Sequence, residues 1–209
     1  MKLFLASYRF GAHVDEFRAL TSGPGRVAVI SHATDGWPEQ ARESALTSEI
    51  RGLRDLGYDP YELDVRRFRD RPDALAAELD SVQTLWIRGG NTFVLRSVLH
   101  QCGADEPIVS RVRDGRLVYA GYSAGACVAS PSLRGVDQAD DPAEIADGAV
   151  VWEGLGLVDF ALVPHFGSVL DENGAGAAMV AKFEREGVRH LTLTDEQVVV
   201  VNGDRTERI

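Results

Sequence analysis

Three short stretches, Arg26-Val-Ala-Val-Ile-Ser31, Thr84-Leu-Trp-Ile87 and Arg116-Leu-Val-Tyr-Ala120, are apolar at successive positions instead of alternate ones. A strand of that kind has no face to give to water, so it belongs in a sheet covered on both sides, which is characteristically a parallel one. Leu3–Ser7, Tyr58–Leu63 and Ala161–Pro164 add further strands. Between the strands lie segments of helical spacing. Pro38–Leu56 carries apolar residues at Ala41, Ala45, Leu46, Ile50, Leu53 and Leu56 and is closed by Gly57. Phe17–Leu20, Asp73–Leu79, Thr92–His100 and Ala175–Glu186 are shorter helical segments, and His190–Thr194 with Gln197–Asn202 is expected to close the chain as a hairpin. The alternation predicts an α/β fold with a mainly parallel sheet and helices on both faces. With 209 residues and no linker, repeat or low-complexity run, a single domain over 1–209 is expected.

Composition narrows the function classes. The net charge is −10 and no Lys/Arg-rich block occurs, so the electrostatic footprint of a nucleic-acid binder is missing. No run of 18 apolar residues suggests a membrane span, and Leu3–Ser7 is too short for a signal core. The only two cysteines, Cys102 and Cys127, make neither a disulfide framework nor a zinc pattern, and a reducing cytoplasm is expected. No cofactor or metal is expected. Cys127 follows apolar neighbours and reads as a small core residue.

Gly121-Tyr-Ser-Ala-Gly125 is a G-x-S-x-G elbow, with the strand Arg116–Ala120 before it and the small-residue helix start Ala124–Ala129 after it. That context lifts a serine out of the sheet beside a helix N-terminus, where it can act as a nucleophile once a base takes its proton. Of five histidines, His100 lies in a polar helix end, while His13 and His32 lie in loops near strand ends and His190 opens a late strand. His165 follows the apolar strand in Val163-Pro-His-Phe-Gly167, which sets its imidazole just off the sheet edge and makes it the expected base. A tetrahedral intermediate needs backbone N–H donors. Ala124, after the serine, and Gly90, in the turn Gly89-Gly-Asn-Thr92, are the candidates, with Asn91 as helix N-cap. The orienting acid stays open between Asp195 or Glu196 in a late turn and Asp137, Asp140 or Asp141 in an acidic loop. Ligands in parallel sheets bind beyond the carboxyl ends of the strands, and three of these motifs fall there.

Ile87-Arg-Gly-Gly-Asn-Thr-Phe-Val-Leu95, Gly121-Tyr-Ser-Ala-Gly-Ala126, Ser132-Leu-Arg134 and Pro164-His-Phe166 occur here in that order. In this the chain resembles the dipeptidase E (aspartyl dipeptidase) and cyanophycinase family of serine peptidases, peptidase family S51, over nearly its whole length. The resemblance implies a fold similar to class I glutamine amidotransferases (flavodoxin-like) and hydrolysis of short peptides, typically with an N-terminal aspartate. It implies Ser123 as nucleophile, His165 as base, Asp195 as acid, and Gly90 and Ala124 as oxyanion donors. It also implies a role for the Asp140-Asp141 loop. The order Ser, His, Asp differs from the Ser, Asp, His order of α/β-hydrolases.

Two departures bear on substrate. The family's glycine triplet is reduced to Arg88-Gly89-Gly90, and Gly174–Ala181 lacks the arginine that would pair with a substrate carboxylate. Arg88, Asn91, Arg134 and Asp141 are therefore the candidate substrate-binding residues. The leading expectation is a serine exopeptidase on a small peptide substrate through an acyl-enzyme. The alternatives are a serine hydrolase of another small amide, ester or isoaspartyl conjugate, and a non-catalytic amidotransferase-like binding domain.

Overall fold

The computed structural model describes the chain over residues 1–209, with the side chain of residue 172 outside the description. The apolar runs become strands β1 (Lys2–Ala6), β2 (Arg26–Ile30), β3 (Asp59–Glu62), β4 (Thr84–Ile87) and β5 (Val118–Tyr122). They pair in parallel in the order β3-β2-β4-β5-β1. The antiparallel strands β8 (Val198–Asn202) and β9 (Arg205–Arg208) extend the β1 side. A separate two-stranded parallel sheet is made by β6 (Ala161–Val163) and β7 (His190–Thr192).

Helices cover both faces, as consecutive apolar strand residues require. On one face, Phe17 of α1 (Val14–Leu20) and Leu53 of α2 (Glu39–Asp55) pack with Phe4, Val29 and Trp86. On the other, α3 (Pro72–Asp80), α4 (Thr92–Gln101), α5 (Asp105–Arg113), the short α6 (Ala124–Cys127) and α7 (Ala175–Glu186) share one cluster with Leu3, Leu5, Leu85 and Tyr119. Both large faces are dry, so hydrophobic burial fixes the layers. Among the described residues no helix is long and apolar enough to cross a membrane.

Several local expectations are corrected. The closing hairpin is β8–β9, not His190–Thr194 with Gln197–Asn202. Asn202 faces Arg205, and the two-residue turn places Gly203 at φ 63°, the glycine-first geometry that suits the twist of a hairpin. His190–Thr192 pairs instead with β6. Strand β5 runs two residues past Ala120, so Gly121 and Tyr122 belong to the sheet and the turn falls at Ser123 itself. Helix α5 carries an ordinary amphipathic pattern that the reading of 104–115 passed over.

Candidate active site

The carboxyl ends of β1, β4, β5, β6 and β7 converge. Ser123 is forced into a sparsely populated backbone conformation, φ 51° and ψ −117°, between the last residue of β5 and the first of α6. Close packing permits it only with glycine around it. A Cβ on Gly125 would collide with the Ile87 carbonyl, and one on Gly89 would lie 2.9 Å from the Ser123 Cβ. Strain of this kind persists where surrounding structure over-determines it.

Histidine and acid arrive from the second sheet. In the β6–β7 register Val163 faces Thr192, so the residues just beyond each strand emerge together. His165 Nδ1 lies 2.6 Å from Asp195 Oδ1, and its Nε2 lies 3.0 Å from Ser123 Oγ. With Nδ1 donating to the carboxylate, Nε2 is left to accept the serine proton. His165 is itself left-handed, at φ 60°, and its backbone N–H donates to Ser7 Oγ at 2.7 Å. The Ser7 hydroxyl in turn donates to Asp195 Oδ1 at 3.0 Å. Ser7 is fully buried and tied to the acid's turn through its own N–H to the Gln197 carbonyl. Burial opposes ionisation of Asp195, but hydrogen bonds from Ser168, His165 and Ser7 outweigh it and hold the carboxyl below its ordinary range.

The Gly90 and Ala124 N–H groups donate to no other group among the described residues. Gly90 sits at φ 145°, where a Cβ would collide with the Ala33 carbonyl. Beside Ser123 lies a cavity of about 170 Å³ reached by His165, Ala124, Cys127, Asp140 and Met179. The Cys127 thiol is driven up by burial and stays protonated. Burial also raises the Asp140 carboxyl, against the pull of the Thr92 N–H that donates to its Oδ2 at 2.8 Å and of His165.

The remaining candidates are not gathered there. Arg88 turns to the buried Glu49, with Nε 3.6 Å from Oε1, and stacks on Trp37. Asn91 spends its oxygen on the Phe93 and Val94 N–H groups and one amide N–H on the Asp141 carbonyl, so it caps α4, and it does not line the cavity beside Ser123. Asp141 caps the next turn at Ala143, and of the two neighbouring aspartates Asp140 is the one that lines the cavity. Arg134 lies over Trp152, Asp137 pairs with Lys182 at 3.0 Å, and Glu196 points to solvent. His32 is buried, with Nδ1 3.0 Å from Asp35, and His13 and His100 pair with Glu16 and Asp105. Two groups escaped sequence reasoning. Ser7 directly follows β1 with no motif around it, and Glu49 looks like any polar helix position. Glu49 accepts hydrogen bonds from Trp86 Nε1 at 3.0 Å and the Tyr122 hydroxyl at 2.7 Å, directly beneath the elbow.

A sequence model described as peptidase family S51 matches residues 13–209. Peptidase E of Citrobacter koseri is 30% identical over 190 residues, spanning 85% of this chain and 77% of that protein. Peptidase E of Streptomyces coelicolor is 39% identical over 127 residues, or 60% of this chain and 47% of the relative. The match spans about half the length of that relative and of two Listeria peptidases. A solved Listeria monocytogenes EGD-e chain superposes over 100% of this chain with a TM-score of 0.82 at 24% identity, a likeness of fold.

Proposed function

The chain belongs to peptidase family S51, and on that premise we propose that it is a serine exopeptidase that hydrolyses short peptides through an acyl-enzyme on Ser123. The observation that carries the reading is the unbroken relay from Ser123 Oγ through His165 to Asp195, at 3.0 and 2.6 Å.

In this reading Ser123 Oγ attacks the scissile carbonyl carbon as His165 Nε2 takes its proton. Asp195 keeps Nδ1 protonated and stabilises the imidazolium. The negative oxygen receives the Gly90 and Ala124 N–H groups, which have no intramolecular acceptor to give up. The C–N bond then breaks, His165 returns its proton to the leaving amine, and water delivered through the same imidazole cleaves the ester. Asp140, with one oxygen held by Thr92 N–H, is a counter-charge for the substrate's free α-ammonium. A carboxylate lining a small cavity beside the nucleophile favours an exopeptidase register.

The test is intact-mass detection of a covalent adduct with a fluorophosphonate, followed by turnover of a dipeptide panel. Ser123→Ala is expected to lose the adduct and several orders of magnitude of turnover. An adduct elsewhere, or undiminished turnover in the variant, would overturn the reading in favour of a binding domain or a different nucleophile.

A further inference from the structure

We infer that the cavity beside Ser123 accepts a substrate residue with a neutral, apolar side chain and rejects aspartyl peptides. The inference rests on the proposed peptidase reading and names its substrate class. The cavity is walled by Val136, Leu170, Ala175 and Met179, and no Lys or Arg lines it among the described residues. Its two charged lining groups, Asp140 and Asp171, are both acidic.

Their hydrogen bonds divide their roles. Asp171 is consumed by the backbone, with Oδ1 accepting from Gly176 N–H at 2.7 Å and Oδ2 from Gly167 N–H at 3.3 Å. Gly176 is packed so tightly there that a Cβ would lie 2.9 Å from Asp171 Oδ2. Asp140 is held only by Thr92, whose backbone N–H donates to Oδ2 at 2.8 Å, and its carboxyl faces the cavity as the group that can meet an ammonium. The basic residues nearest in sequence to the site are committed elsewhere: Arg88 to Glu49, Arg134 to Trp152, Lys182 to Asp137. A substrate side-chain carboxylate would enter a space lined by two carboxyl groups and no cation, and an unpaired buried charge is among the costliest groups to desolvate. A Leu or Met side chain would instead bury against Met179 and Val136, both nearly inaccessible to solvent.

The experiment compares Leu-Leu, Met-Leu, Lys-Leu and Asp-Leu on the wild type and on Ala175→Arg, with fluorophosphonate labelling in parallel. Ala175 is half-buried at the first turn of α7 and lines the cavity, so it places a cation there without opening the core. Leu-Leu and Met-Leu are expected to exceed Asp-Leu by about 100-fold or more in kcat/KM, on the scale set by leaving a buried charge unpaired. Ala175→Arg is expected to narrow that ratio at least tenfold. Asp-Leu or Lys-Leu as the best substrate overturns the inference, as does an unchanged ratio in a folded variant. Labelling at Ser123 without turnover of any peptide overturns it too while sparing the serine nucleophile. Absence of both labelling and turnover refutes the peptidase reading itself.

Discussion

Ser7→Ala removes one oxygen that makes two hydrogen bonds, and the consequences separate by pH. The hydroxyl accepts the His165 N–H at 2.7 Å and donates to Asp195 at 3.0 Å, in a fully buried position. Orphaning the N–H costs about 1–3 kcal/mol, and a hydrogen bond to a charged group contributes about 1.5–3 kcal/mol. The two share one atom and do not simply add, so a loss of about 2–4 kcal/mol is expected, or about 5–10 °C in Tm for a chain of this size. The Asp195 carboxyl is held low in the folded protein, partly by Ser7. Its stabilisation is therefore present above the unfolded value of about 3.9 and disappears as pH falls through the lower folded value. Removing Ser7 raises the folded value, so the stability gap between wild type and variant is widest above about pH 5 and shrinks near pH 3, leaving the backbone part. Denaturant melts at several pH values measure this. Activity is expected to fall by up to about 100-fold, because His165 loses the contact that holds its left-handed backbone in register with Ser123. Equal melts for both proteins would refute the reasoning. A gap independent of pH would show that Ser7 acts on the backbone alone and not on Asp195.

Other outcomes follow from the same geometry. Asp140→Asn removes a carboxylate whose charged form burial disfavours, so at pH 7 the variant is expected to match or exceed the wild-type Tm while losing kcat/KM on free-amine dipeptides. A fall in Tm with unchanged turnover would contradict both halves. Glu49→Ala is expected to destabilise by about 3–5 kcal/mol, because it leaves Arg88, Trp86 Nε1 and the Tyr122 hydroxyl without their buried partner; chemical denaturation reads it. Arg88→Ala is expected to lower stability and to reduce turnover of Asp-Leu and Leu-Leu alike, since the guanidinium serves Glu49. Selective loss of Asp-Leu in steady-state kinetics would return Arg88 to the substrate.

The covered, mainly parallel sheet was legible because an unbroken apolar run leaves no strand face for water. Position 123 was legible as an elbow because glycines flank a serine between a strand and a helix. His165 was legible because it ends an apolar strand. These signals span a few residues, the range over which backbone sterics and side-chain periodicity act. The choice among acids was not legible from residue chemistry, and in the sequence only the family resemblance pointed to Asp195. Asp195, Glu196, Asp137, Asp140 and Asp141 are chemically near-equivalent in sequence, and only the parallel pairing of β6 with β7 brings residue 195 onto the imidazole 30 positions earlier. The same long-range packing turned Arg88 toward Glu49, consumed Asn91 as a cap, moved the closing hairpin to β8–β9 and placed Ser7 under two residues it resembles in no pattern. Local chemistry thus determined which groups can react and where the chain turns. Tertiary packing decided which of several equal partners each group meets, because that depends on contacts between segments whose separation in sequence carries no periodic signal.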